Sequence, residues 1–508
     1  MMSCFVPGGA SRLKNVQTYR WNRFLGLALL WLSPLAIHAQ SPLLEQPIGD
    51  TPQLTPVQNE VPVEPESGGL IVPTPADPKS VFATQDDLFR QNLRIMELEQ
   101  HLSQVQTETQ KGLQEGRLRS TDIPLIEGLR KASAFPKVKL TGFFQADAGF
   151  FQQDAQSLAN YGDIGDNRGF RRARLAAVGD VSEYVSYMLE MDFAFPGRPT
   201  FMDVWVDVHN VPLLGNVRVG QYRMPFGMDA LTSVRELTFL ERASPFAFNP
   251  FRQIGAGFHD NNQDETVTWA ASVFGFPTDP WGGNTGDNGY GMAGRITALP
   301  IYADDGSFLV HMGFDYSLTR PSTKTLEYRN TPEYGGPFVG PTGTQASVPF
   351  FVDTGAMSAT TSNLLNAELA AVWNQSYIQS ELTYALVNLT NGSTATLPGY
   401  YAQAGYFLTG EQRSYNKIAG VLGRVKPLHN WGEPCGYGAV ELAARYSYLD
   451  LNSHGINGGR MNDVTLGTNW YLNQYTKLQL NYIRSIVDKG VDDNINTNIV
   501  AIRAQLDF

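Results

Sequence analysis

In Val440-Glu441-Leu442-Ala443-Ala444-Arg445-Tyr446-Ser447-Tyr448, Val440, Leu442, Ala444, Tyr446 and Tyr448 share one parity while Glu441, Ala443, Arg445 and Ser447 share the other. A period of two is the mark of a β-strand with one apolar and one polar face. The same rhythm sets Val185, Tyr187, Leu189, Met191 and Phe193 against Ser186, Met188, Glu190 and Asp192. At the C-terminus it sets Val500, Ile502, Ala504, Leu506 and Phe508 against Ala501, Arg503, Gln505 and Asp507. A soluble sandwich buries its apolar face in a closed core. A membrane barrel turns that face to lipid and lines a lumen with the other, so alternation alone leaves both readings open.

Three further features favour the barrel. Aromatic pairs stand near expected strand ends (Phe143-Phe144, Tyr400-Tyr401, Trp470-Tyr471), where interfacial girdles form. Short turns such as Asp304-Asp305-Gly306 and Asn473-Gln474-Tyr475 alternate with long connections such as 321–361, and the chain closes on an aromatic residue that ends an alternating strand. From about Lys137 to Phe508 the pattern predicts sixteen strands, beginning near Leu140, Phe170, Val185, Met202, Asn216, Gln253, Thr266, Tyr290, Phe308, Leu364, Tyr377, Gly399, Gly436, Asn462, Thr476 and Asn498. The expected fold is all-β, a 16-stranded antiparallel transmembrane β-barrel, wide enough at about sixteen strands to enclose a water-filled channel. Residues 411–434 fit this threading least well, because a short turn is expected there.

Upstream, Phe24 to Ile37 is continuously apolar, follows Arg12, Lys14, Arg20 and Arg23, and leads to Ala36-Ile37-His38-Ala39. At 14 residues it is too short to span a bilayer but has the form of a signal peptide over 1–39. Its removal takes four bases and no acids from a chain of net charge -11, and takes Cys4, leaving Cys435 with no intrachain disulfide partner. Residues 40–83 are Pro-rich and read as a semi-stiff linker. Residues 84–118 carry Leu88, Ile95 and Leu102 seven apart with Leu98 and Val105 between, the spacing of a short α-helical coiled coil or of one docked amphipathic helix.

Composition narrows the function. Charged residues make up only 17% of the chain, yet a mean hydropathy of -0.23 is too polar for a bundle of membrane helices. The acidic balance argues against nucleic acid as a partner. No HExxH, GxSxG, CxxC or GxxxxGK[ST] pattern occurs, so neither enzyme chemistry nor a cofactor is expected. Gly289-Tyr290-Gly291-Met292-Ala293-Gly294 matches GxGxxG but leads into a strand rather than a helix. In Asp260-Asn261-Asn262-Gln263-Asp264, Glu265 occupies the place a calcium loop gives to Gly, and a turn is the better reading. The seven His are scattered without ligand spacing.

The informative charges are the Arg residues on the polar parity. Arg172, Arg174, Arg218, Arg445 and Arg503 alternate with apolar neighbours, and Arg235, Arg242 and Arg252 lie in 226–252, a connection that would narrow the channel if it folded inward. Such cations favour anions at a constriction. Alternatively, luminal acids such as Glu190, Asp192, Asp203, Glu368, Glu441 and Asp507 pair with them and brace the wall.

Between residues 137 and 508 the chain carries, in this order, Gly169-Phe170-Arg171-Arg172-Ala173-Arg174-Leu175, Phe226-Gly227, Leu240-Glu241-Arg242, residues 400–411 (from Tyr400-Tyr401-Ala402-Gln403 to Thr409-Gly410-Glu411), Val440 to Tyr446 and Leu466-Gly467-Thr468-Asn469-Trp470-Tyr471. By these stretches it resembles the phosphate-selective porins O and P of bacterial outer membranes. The resemblance implies a homotrimer of sixteen-stranded barrels in outer-membrane lipid, with a basic ladder leading anions to a constriction. By that likeness Arg171, Arg172, Arg242 and Arg445 correspond to basic residues of the pore, and Asp203 to an acidic one near the constriction. Phe143, Gln221 and Ala230 stand where phosphate-specific members carry bases, and the loop after the ninth strand holds only Lys324 and Arg329. The expected function is passive diffusion of small hydrophilic solutes, with a preference for anions or phosphate. The coiled coil is expected in the periplasm, supporting the trimer, with the linker leading toward the cell wall. The alternative is a barrel without a channel, an adhesin or a membrane-embedded hydrolase.

Overall fold

The computed structural model describes residues 135–508 apart from 196, 279–281, 284–288, 340–344, 435 and 491–493. The signal peptide, the Pro-rich linker, the coiled coil and Cys435 lie outside the described residues. Sixteen long strands occur among the described residues: Lys137–Gln153 (β1), Asn167–Ser182 (β2), Val185–Asp192 (β3), Thr200–Val211 (β4), Gly215–Arg223 (β5), Arg252–Asn261 (β6), Val267–Phe276 (β7) and Gly289–Ala303 (β8), followed by Phe308–Arg320 (β9), Met357–Trp373 (β10), Ser376–Leu389 (β11), Thr394–Phe407 (β12), Ala439–Ser453 (β13), Ile456–Asn473 (β14), Thr476–Asp488 (β15) and Ile495–Asp507 (β16). Each pairs antiparallel with the next. β1 pairs with β16 from Phe143 opposite Asp507 to Gln153 opposite Thr497, so the sheet closes and no edge is left.

Closure fixes what parity means. On β13, Glu441, Ala443, Arg445 and Ser447 are buried in the interior, while Leu442 and Tyr446 are exposed on the outer face. On β16, Arg503 and Asp507 point in and Val500, Ile502 and Leu506 point out. An Arg or Lys on a lipid face costs about 2–4 kcal/mol at mid-membrane, which is why the charges sit on one parity. The aromatic pairs do not form girdles as pairs, because consecutive strand residues face opposite ways. Phe144 and Tyr400 point out, whereas Phe143, Tyr401 and Tyr471 are buried in the interior.

Where alternation breaks, the backbone shows why. Between Gln145 and Ala146 the β1–β2 register shifts, Gln145 facing Arg172 and Ala146 facing Phe170, so Arg171 is the extra residue of a bulge. Gly220 on β5 has φ 134°, and a Cβ there would stand 2.3 Å from the Val204 carbonyl oxygen. Only Gly accommodates both.

The turns at 183–184, 212–214, 262–266, 304–307, 374–375 and 474–475 share one end of the barrel, and the connections 154–166, 224–251 and 321–356 leave from the other. In bacterial barrels the short turns face the periplasm. The Gly289–Gly294 match lies in β8, and the Asp260–Asp264 stretch runs from β6 into a short turn. The connection 408–438 is the exception at the short-turn end: 415–416 pair with 421–422, and the stretch from Arg413 to Val425 turns into the barrel. Its Val421, Leu422 and Val425 pack with Met228 of the 224–251 connection and with Phe407 and Tyr471 of the wall.

Candidate functional site

A connection folded into a lumen must satisfy its backbone there, since it has left the ladder and has little water. Residues 224–251 do so by charge. At their tip lies a single helical turn, Met228–Leu231 (α1). The amides before and in it donate to wall carboxylates: Gly227 to Asp315 at 2.9 Å, Met228 and Asp229 to Glu381 at 2.9 and 2.7 Å. Carbonyls at its far end accept from guanidiniums. Arg223 donates to Ala230, Leu231 and Thr232 at 3.2, 2.7 and 3.1 Å, and Arg242 to Asp229, Ala230 and Thr232 at 2.9, 3.0 and 2.8 Å. Further along, Lys477 donates to the carbonyls of Arg235 and Leu237, and Arg413 to that of Glu236. The loop is thus held by acids at its amides and bases at its carbonyls.

Glu381 is the strongest of these anchors, since Tyr401 and Asn366 also donate to it, at 2.7 and 3.0 Å. Glu381→Leu removes the acceptor from two loop amides and a Tyr hydroxyl, each buried donor costing about 1–3 kcal/mol when orphaned. The sixteen-strand ladder is untouched, so the variant is expected to retain a heat-modifiable folded barrel while its single-channel current becomes noisy as the loop tip detaches. A steady current of wild-type size would show that Glu381 does not hold the loop.

The other connections fill much of the remaining lumen. From 321–356, Glu333 pairs with Arg445 at 2.6 Å and accepts from Ser447 and Thr465, pinning that loop to β13 and β14. Asn330 donates to the carbonyl of Ser244 at 2.7 Å, stacking one loop on the other. From the short-turn end, the carbonyls of Ala419 and Gly420 accept from Arg295 at 3.0 and 2.7 Å, and Arg424 bridges Glu236 and Asp507 at 2.9 and 2.6 Å.

Among the described residues, two cavities of about 350 Å³ each lie along β2–β7. The one toward the long-loop end is bordered by Arg171, Arg172, Arg174, Arg242 and Arg252. The one toward the short-turn end is bordered by Asp203, Arg218, Arg223 and His259. They meet at an ion pair, Arg252 with Asp203 at 2.9 Å. Most bordering cations are paired: Arg171 and Arg172 with Glu241 at 3.1 and 2.7 Å, Arg174 with Asp192 at 2.8 Å, Arg218 with Asp207 at 2.6 Å. Burial opposes ionisation of Glu241, but the guanidiniums of Arg171, Arg172 and Arg503 outweigh it and hold the carboxyl well below the usual range. Arg223 and Arg242 differ. Among the described residues neither has a carboxylate within 4.0 Å, and both spend their donors on loop carbonyls. Burial pushes Arg242 down to about 9, which still leaves it charged at neutral pH.

The residues read from the sequence therefore divide. Arg171, Arg172, Arg174 and Arg242 share one cavity, and Arg218 and Asp203 the other. Arg445 lies on a polar face, but the 321–356 loop covers it, leaving its side chain 2% exposed. Arg235 borders neither cavity and stacks over Phe143 at 5.4 Å. Of the positions lacking the family's bases, Gln221 borders a cavity and donates to the carbonyls of Phe201 and Met202, both at 2.9 Å, while Phe143 packs with Val234 and Leu237 of the loop. Arg223 escapes a reading by parity because Gly220 resets it: Gln221, Tyr222 and Arg223 all border cavities in succession. That Gly, three residues before an Arg at a strand end, was the available signal.

The family model for "Phosphate-selective porin O and P" matches residues 138–508. An uncharacterized protein of Caulobacter vibrioides is 29% identical over 73% of this chain and 74% of its own length. Porin O of Pseudomonas aeruginosa is 24% identical over 70% of this chain and 84% of its own. Among solved structures, an anion-selective porin from Comamonas acidovorans aligns at TM-score 0.44 and 12% identity, covering 73% of this chain and 99% of that one. A family model that spans the whole barrel, on a closed sheet of sixteen strands, settles the assignment: the chain belongs to the phosphate-selective porins O and P, outer-membrane channels for solute diffusion.

Proposed function

We propose that the chain is a homotrimeric diffusion porin whose open path runs along β2–β7 through the two cavities, and that it prefers anions. The observation that carries this is the pair Arg223 and Arg242, one bordering each cavity and neither neutralised by a carboxylate within 4.0 Å among the described residues. The other bordering cations sit beside acids and contribute little net field, whereas these two stand at the loop turn the solute must pass. No dense ring of free guanidiniums surrounds the path, so the preference is for anions as a class rather than for phosphate with high affinity. The N-terminal coiled coil would support the trimer, and the Pro-rich linker would carry the chain end toward the cell wall.

Planar-bilayer recording of the purified full-length protein tests the reading. Steady ohmic steps are expected, with a reversal potential of anion-selective sign in a KCl gradient. A barrel that serves as an adhesin or hydrolase gives no steady steps, and a cation-selective sign overturns the role assigned to Arg223 and Arg242.

A further inference from the structure

The cavity toward the long-loop end is lined by more than cations. Phe201, Phe246 and Phe251 border it with Arg242 and Arg252, and all three rings remain part-exposed. The two loop rings meet edge to face, with centroids 4.9 Å apart at 82°. Arg242 lies over Phe246 and Phe251 at 5.0 and 5.2 Å, and Arg252 lies over Phe251 at 4.7 Å. Guanidinium planes and ring faces therefore line one chamber side by side.

The donors in this chamber are largely committed. Arg171 and Arg172 are taken by Glu241, Arg174 by Asp192, Arg252 by Asp203, and Arg242 by three loop carbonyls. A small, strongly hydrated oxyanion must trade its water for hydrogen-bond donors, and here few are left to receive it. An anion with a flat apolar body needs less: its charge is drawn by the residual positive field, and its body lies against ring faces and guanidinium planes. The volume, about 350 Å³, falls at the lower end of the range that encloses small organic ligands.

We propose that this chamber is a binding station for organic anions with a flat apolar body, the simplest being arylcarboxylates. The inference rests on the anion preference proposed above and names the class of anion. Phe201 and Phe246 supply the apolar surface from the wall and from the inward loop, Arg242 supplies the charge, and Arg252, itself paired with Asp203, offers a guanidinium plane.

The test uses the full-length protein in planar bilayers, with KCl on one side and potassium benzoate, acetate or phosphate on the other. Acetate has the same charge as benzoate and moves faster in water, so a plain anion filter favours acetate. The chamber is expected to reverse that order, passing benzoate over acetate by about threefold, the scale of one aromatic contact. Phe246→Leu and, separately, Phe201→Leu are expected to lower the benzoate-to-acetate ratio by a similar factor. Acetate or phosphate permeating as well as benzoate in the wild-type channel overturns the proposal, as does a ratio unmoved by either substitution. Should both variants fail to form barrels, the wild-type ratio decides alone. A cation-selective sign in KCl is a separate result that overturns the anion channel itself, so the two failures are distinguishable.

Discussion

Replacing Arg223 and Arg242 together by Gln is expected to lower the chloride-to-potassium permeability ratio about tenfold, read as a shift of the reversal potential in a KCl gradient. A unit charge about 5 Å from a passing ion contributes about 0.8 kcal/mol in a water-like medium, and two together give about 1.7 kcal/mol before screening, enough for the roughly 1.4 kcal/mol of a tenfold change. Salt screens the effect, so the shift should be larger in dilute KCl than near molar salt. Both residues also hold the loop turn through carbonyls at 2.7–3.2 Å, so loop displacement must be separated from lost charge. Arg223→Lys with Arg242→Lys makes that separation: charge is kept and the planar fork is lost. Retained selectivity in the Lys pair and lost selectivity in the Gln pair assign the effect to charge. Selectivity unchanged in the Gln pair means that the paired cations, such as Arg174 and Arg252, set the field after all.

The strand pattern was legible because a barrel repeats one physical rule sixteen times. Each strand must show apolar groups to lipid and satisfy its polar groups inside, and β13 and β16 do so residue by residue. The rule says which side chains enter the lumen and nothing about which part of the lumen stays open. Arg445 and Arg174 obey the same parity, yet the first lies under the 321–356 loop against Glu333 and the second borders a cavity. What separates them is the course of three inward connections. That course depends on pairings between residues 69 to 270 positions apart, such as Arg172 with Glu241 and the Arg235 carbonyl with Gln505, which no local period encodes. Arg171 and Arg223 show the complementary case. A bulge and a Gly at φ 134° turn them inward where simple alternation sends every second residue out.

The awkward stretch at 411–434 follows from the same distinction, and it yields the second large effect. A short turn would close the barrel end between β12 and β13, yet the connection there runs from 408 to 438, and its part from Arg413 to Val425 enters the lumen while 428–434 stay exposed. Ile418 and Ala419 border the cavity toward the short-turn end, opposite Arg218 and His259. The segment is fixed by hydrogen bonds from Arg295 to two of its carbonyls, by a 2.7 Å bond between Tyr415 and His311, and by the ion pairs of Arg424. Replacing 412–433 with a short Gly-Asn turn removes the plug while leaving all sixteen strands paired. Single-channel conductance is expected to rise severalfold, because the path would no longer be confined beside β4–β7 at that end. Arg295 keeps its bidentate partner Glu368, with contacts of 2.9 and 2.7 Å, whereas Asp507 on the wall and Glu236 on the loop lose Arg424; with the strand ladder intact the barrel should still migrate as a heat-modifiable species. Anion preference should weaken with the widening, since Arg223 would then face a broader, better-screened passage. An unchanged conductance would place the narrowest point entirely at the 224–251 loop and make the inward segment a brace for Met228 and Glu236. A conductance that rises with selectivity intact would locate the selecting field on the Arg242 side of the Asp203–Arg252 ion pair.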